Sequence, residues 1–186
     1  MLKTNCKQEI EKLEGNIEKL KDLRKGRRRE ASEIEEQQFQ IINELVDKDI
    51  MPNLPERMKD IDFSKYVDET QVLSYLALAL TGRAGKSLEL KTAQLRRFFD
   101  PLKSIEQRVF VENKKWDDVK TDFVLLTPKL AYAKGKGLIP QPFYHLVMDC
   151  LKRVDSKEDL KSLIQFLETV VAYHKYHGSK NVGGGD

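Results

Sequence analysis

The sequence predicts an all-α protein, a helical bundle carrying an N-terminal helical extension. Three observations carry this reading. Apolar residues recur at spacings of three and four along nearly the whole chain. No segment sustains the period-two alternation of a half-buried strand. Charged residues are 34% against 40% apolar, the balance of helices with one buried face and one broad solvated face. At 186 residues the chain is long enough to bury one core of useful size.

The elements follow in order. Cys6, Ile10, Leu13, Ile17 and Leu20 are spaced 4, 3, 4, 3, a short coiled-coil-like seam that Arg24 and Arg27 interrupt. A second amphipathic stretch carries Ile34, Ile41, Ile42, Leu45 and Val46. Pro52 and Pro55 forbid its continuation, because proline lacks the helical N–H and clashes with the preceding turn. Residues 1–50 are therefore assigned to the extension, 51–69 to an irregular connector, 70–178 to the core bundle and 179–186 to a flexible tail. A chain starting near Asp60 is expected to keep its fold.

Within the bundle, Thr70 is placed as an N-cap and Val72–Leu80 as a helix buried nearly all round. Gly82 and Gly85 end it. The next helix shows Leu95, Phe98, Phe99, Leu102, Ile105 and Val109 on one face. Pro101 either kinks it or starts a new helix capped by Asp100. Trp116, Val119, Phe123, Leu126, Leu130 and Ala133 continue the pattern, with Pro128 kinking or restarting the helix and Gly135 and Gly137 closing it. Pro140 and Pro142 open a helix of about Phe143–Val154. Ser156 and Asp159 form a capping-box pattern before the last helix, whose face holds Leu160, Leu163, Ile164, Leu167, Val171 and His174. A second strip of that helix, Phe166, Val170, Tyr173 and His177, is either further core or a contact with another subunit.

Charge is uneven. The net charge is only +3, but residues 24–29 (RKGRRR) hold five positive charges and no acid. Residues 30–49 hold seven acids against Lys48, and residues 82–136 hold thirteen Lys/Arg against seven Asp/Glu, a net of +6. Such a distribution steers polyanions even at modest total charge. The RKGRRR block serves either as a nucleic-acid arm or as partner to the acidic block that follows it. No apolar run is long enough to span a membrane, no signal-peptide pattern stands at the N-terminus, and two cysteines far apart make no disulfide framework. A reducing cytoplasm is the expected compartment.

Catalytic patterns are weak. Gly82-Arg83-Ala84-Gly85-Lys86-Ser87 resembles the end of a phosphate loop, but Leu80 stands where that motif needs glycine, and Ala and Leu make the preceding segment helical. His174 and His177 lack converging ligands, and His174 lies on an apolar face, so a core histidine is the better reading. No cofactor is expected, and the chain reads as a non-enzyme. The basic residues are better organised. At 100° per residue, Lys129, Tyr132 and Lys136 share one strip away from the core face, and Lys134 flanks the core side. Arg97 points opposite the Phe98/Phe99 ridge, and Arg96 shares a seam with Lys103. A tyrosine between lysines offers a stacking surface beside phosphate-neutralising charge, suited to single-stranded nucleic acid. The alternative is ordinary solvated faces with Tyr132 packed in a helix interface.

Three stretches run in order across roughly 90 residues: Leu90-Lys91-Thr92-Ala93-Gln94-Leu95-Arg96-Arg97-Phe98-Phe99; Leu125-Leu126-Thr127-Pro128-Lys129-Leu130-Ala131-Tyr132-Ala133-Lys134-Gly135-Lys136; and Phe166-Leu167-Glu168-Thr169-Val170-Val171-Ala172-Tyr173-His174-Lys175-Tyr176-His177-Gly178. Their wording resembles the small helical subunit of the type III-A CRISPR interference (Csm) complex. The resemblance implies an all-helical, non-catalytic subunit that packs against backbone subunits and binds guide–target RNA without reading sequence. It implies phosphate contacts from Arg96 or Arg97, Lys129 and Lys136, while its landmark Pro128, Tyr132 and Tyr173 are either structural or functional. Together with Tyr132 and Lys134 from the helical strip, and Lys175, these make the candidate RNA-binding set. Lys136 stands where the family commonly has arginine, which keeps charge but not bidentate geometry. Residues 1–60 fall outside the resemblance. The competing reading is a helical adaptor that self-associates through its N-terminal seam and binds protein only.

Overall fold

The structure is a computed structural model and describes residues 4–23, 28–67 and 72–179. Residues 24–27 of the basic block, Thr70, residues 180–186 of the predicted tail and the Cys6 side chain lie outside the described part. The fold is all-α, with no strand among the described residues. Its helices are α1 (Thr4–Leu23), α2 (Arg28–Glu44), α3 (Ser64–Val67), α4 (Val72–Leu78), α5 (Thr92–Phe110), α6 (Trp116–Val124), α7 (Leu126–Gly135), α8 (Gln141–Lys152) and α9 (Lys157–Ser179).

Helices α1 and α2 form an antiparallel hairpin. The predicted seam of α1 is buried at Ile10, Leu13, Ile17 and Leu20, and it packs within the chain. The buried face of α2 differs from the expected one. Ile34 and Ile41 are only half-buried, whereas Ala31, Gln38, Ile42 and Leu45 are buried. A small and a polar residue supply half of that face, so an apolar count misplaces it. Gln38 is satisfied: its Nε2 donates to the Leu13 carbonyl at 2.9 Å, and its Oε1 accepts from Asn16 at 3.4 Å. Arg29 lies 3.6 Å from Glu33, so this end of the basic block meets the acidic block inside the chain.

Helix α2 runs on through a wider π turn, Leu45–Ile50, where Leu45, Val46 and Ile50 enter the same core as α4, α8 and α9. The connector contains short 3-10 turns at Met51–Asn53 and Met58–Asp60, and it buries Leu54, Met58 and Tyr66. Two charged side chains hold it. Arg153 donates to the carbonyls of Leu54 (3.2 Å) and Pro55 (2.6 Å), which the prolines leave without helical partners. Asp159, fully buried, accepts from Arg57 Nε at 3.0 Å, from the Lys59 N–H at 3.1 Å and from Ser156 Oγ at 2.7 Å. The Asp159 N–H donates back to Ser156 Oγ at 3.2 Å, completing the predicted cap of α9.

Helix α5 runs unbroken through Pro101, so no new helix starts at Asp100. The Trp116–Ala133 pattern divides into two helices, the restart alternative of the sequence reading. They meet at Leu125, and Pro128 sits in the first turn of α7, where its missing N–H costs nothing. Helix α4 lies along α9. The strip at Phe166 and Val170 is core, with Phe166 edge-on to Tyr66 at 5.8 Å. His174 is a core histidine bonded to the Leu80 carbonyl at 3.2 Å, and His177 lies 3.0 Å from Ser74 Oγ. The Gly82–Ser87 segment is a helix-to-helix turn. Gly82 has φ 80°, and a Cβ on Gly85 would stand 3.3 Å from Glu35, so α2 seats directly on this loop.

Two expectations follow. The sequence reading has a chain starting near Asp60 keep its fold, whereas the packing predicts the opposite. The truncation removes Ile42, Leu45, Val46, Ile50, Leu54 and Met58 from the core, and circular dichroism should show lost helicity and no cooperative melt. The second concerns Asp159. Burial alone would push its carboxyl up, but hydrogen bonds from Arg57, Ser156 and the Lys59 and Asp155 backbone more than offset that and hold it at about 2, against 3.8 for a free aspartate. Its contribution is therefore fully present above about pH 4 and is lost as pH falls through about 2. Asp159→Asn should lower unfolding free energy by about 2 kcal/mol at pH 7 and flatten the acid limb of a stability–pH curve measured in urea.

Candidate nucleic-acid interface

Helix α5 carries the first pair of candidates. Its core face, Leu95, Phe98 and Leu102, turns Arg96 and Arg97 to solvent on either flank. Arg97 borders a groove shared with α7, and Arg96 borders a separate groove shared with α9. Adjacent in sequence, the two arginines thus serve different surfaces. Lys103, predicted to share a seam with Arg96, bridges Glu106 (2.7 Å) and Glu168, tying α5 to α9.

Helix α7 carries the second set. Leu126 and Leu130 point inward, which leaves Lys129 and Tyr132 outward and sets Lys134 half-buried on the flank. The end of α7 is set by Gly137 at φ 66°. Its N–H donates to the Lys134 carbonyl at 2.9 Å, and the Leu138 N–H reaches back to Ala133 at 3.0 Å. This is a Schellman closure, which places Lys136 at the C-cap. From there Lys136 Nζ stands 5.7 Å from the Tyr132 ring centroid, a cation–π contact on a ring that is 67% exposed.

The α5–α7 groove encloses about 190 Å³ and is bordered by Gln94, Arg97, Lys129 and Tyr132 over an apolar floor. No carboxylate among the described residues lines it. Arg97 and Lys129 make no ion pair among the described residues, whereas Arg57, Arg108, Lys120 and Arg153 are each engaged by an aspartate. The α5–α9 groove, about 130 Å³, brings Arg96 and Lys175 to one rim beside Phe99 and the buried His174. Of the seven predicted residues, Arg97, Lys129, Tyr132 and Lys136 gather on one side of α5 and Arg96 and Lys175 on the other, with Lys134 at the edge of the first group. Sequence reading missed Gln94, a rim donor two to three residues before the arginines. It also missed the apolar floor, which mixes residues from three segments and has no sequence signature.

A family model described as Csm2 Type III-A matches residues 73–180. The chain belongs to the Csm2 type III-A family. The resemblance read from the three motif stretches is thereby established, and with it a subunit of the type III-A CRISPR complex that assembles with other Csm subunits. A relative from Streptococcus thermophilus, "CRISPR system Cms protein Csm2", is 24% identical over 119 residues, covering 62% of this chain and 93% of its own length. No solved structure matches. The Csm2 match takes in α4 through α9 and both grooves. The α1–α2 hairpin and the connector precede it.

The geometry of the α7 end is testable. A Cβ at Gly137 would meet nothing within 4 Å, so Gly137→Ala costs only the strain of positive φ, about 1 kcal/mol. The expected result is a small fall in denaturant midpoint with unchanged slope.

Proposed function

We propose that this Csm2-family chain is a non-catalytic, cytoplasmic subunit that binds RNA, the guide–target duplex or target strand, without sequence specificity. The observation that carries the reading is the convergence of Arg97, Lys129 and Lys136 around Tyr132, beside a groove with no carboxylate among its described lining residues. Cations so placed neutralise phosphates and release counterions, and the exposed ring adds a contact that any base satisfies. Arg96 and Lys175 extend the positive surface across the far flank of α5. The protein-only adaptor reading depended on a free seam in α1, and that seam is buried against the chain's own residues.

The test is the double variant Lys129→Ala/Lys136→Ala, assayed by fluorescence anisotropy on single-stranded RNA over a salt series. Both side chains are exposed, so stability should change by less than about 0.5 kcal/mol. The wild-type log–log salt slope should be about −0.7 per phosphate contacted, and the variant should lose affinity with a slope shallower by roughly one to two contacts. Phe123→Ala should behave oppositely. It costs about 3–5 kcal/mol of stability, since Phe123 is 4% exposed, and lowers binding only through loss of folded protein. Normal binding with an unchanged slope in the double variant would remove this strip from the RNA face.

A further inference from the structure

Phosphate neutralisation does not account for the floor of the α5–α7 groove. Phe98, Pro101, Leu126, Leu130 and Ile139 come from α5, from α7 and from the segment after Gly137, and they form an apolar depression beneath a cationic rim. A phosphate has no reason to enter it, because an anion loses more hydration there than an apolar floor returns. The occupant that suits both parts has a flat apolar face and an attached anion. A nucleotide has that chemistry. The base offers π-faces and edge donors and acceptors, and the backbone offers the charge.

The rim is arranged accordingly. Tyr132 stands exposed at the mouth, with Lys136 held 5.7 Å from its ring. That contact biases the ring orientation and leaves other parts of it open for stacking. Gln94 contributes an amide to the rim, able to donate and accept along a base edge without choosing one base. Arg97 and Lys129 lie on opposite banks, one from α5 and one from α7, where phosphates on either side of the inserted base would pass. The depression, at about 190 Å³, admits one heterocycle and no base pair.

We infer that the α5–α7 groove receives a single unstacked nucleobase of an RNA strand, stacked on Tyr132 over the Phe98/Leu130 floor, with its flanking phosphates on Arg97 and Lys129. This rests on the RNA-binding reading and adds to it. It predicts discrimination between a strand with bases and one with the same phosphates but without them, and a role for Tyr132 independent of charge.

The experiment uses the full chain and two single-stranded RNA oligonucleotides of equal length, one fully based and one carrying abasic riboses at most positions. Affinities are measured over a salt series for wild type, Tyr132→Ala, Tyr132→Phe and Ala133→Phe. Wild type should prefer the based strand by about tenfold. Tyr132→Ala should lose most of that preference while keeping the wild-type salt slope, and Tyr132→Phe should retain it. Ala133→Phe, which crowds the groove from α7, should lose the preference with a near-normal affinity for the abasic strand. Equal, salt-dependent binding of both strands by wild type overturns the base pocket and leaves the RNA reading standing. Salt-insensitive or absent binding of the based strand overturns both. A preference retained in both Tyr132→Ala and Ala133→Phe, with circular dichroism unchanged, places base recognition elsewhere and overturns the inference.

Discussion

Arg153 and Asp159 meet the connector where the connector cannot satisfy its own backbone. Pro52 and Pro55 break the helix and leave the carbonyls of Leu54 and Pro55 without intrahelical donors, in a segment that also buries Leu54 and Met58. The guanidinium of Arg153 supplies the donors, while Asp149, one turn earlier in α8, holds it at 2.9 Å. Asp159 does the reciprocal work on donors. It collects the Lys59 N–H, the Arg57 fork and the α9 N-cap on one buried carboxylate. A charge so buried is tolerable because both carboxylate oxygens accept hydrogen bonds and one of them pairs with Arg57. Through these two residues the first third of the chain, the α8–α9 turn and the start of α9 are one structural unit.

That unit positions the candidate RNA surface indirectly. α9 lies against α4 and α5, and the Lys103–Glu168 bridge ties α5 to it. α5 in turn separates the two grooves. The polar face of α5 is thus set by apolar residues on its other sides, and the neighbours Arg96 and Arg97 are turned toward different surfaces by a single 100° step. On α7 the local signal is stronger. A proline in the first turn and a glycine at positive φ after the last define a short helix, and its end folds a lysine over a tyrosine.

Much of this was legible in the sequence. The α1 seam, the α9 face with its Ser156/Asp159 cap and the core role of His174 follow from apolar spacing and side-chain chemistry. The Lys129–Tyr132–Lys136 strip followed from helical geometry alone, and the motif wording identified the family. What was not legible depends on contacts distant in sequence. The buried face of α2 uses Ala31 and Gln38, whose burial is decided by α1 and the Leu13 carbonyl. Lys103 reads as a free cation until Glu168, on another helix, is placed beside it. The restart at Pro128 was one of two readings the sequence offered, but the position of the break at Leu125 was not legible, because both halves keep one apolar period across it. The groove floor escaped because it is assembled from separate segments.

The clamp also has a consequence in time. Arg57 and Asp159 are separated by 102 positions, and Arg153 reaches back 99 to Leu54. A ribosome releases the connector long before it releases either partner. Until the start of α9 emerges, the proline-broken carbonyls have only water to bind, and the α1–α2 hairpin has only local contacts on which to rest. Closing so long a loop is slow relative to forming the hairpin itself. The nascent chain therefore acquires its N-terminal hairpin early and its joined core late, and docking onto neighbouring subunits through the finished surface must wait until α9 has been made.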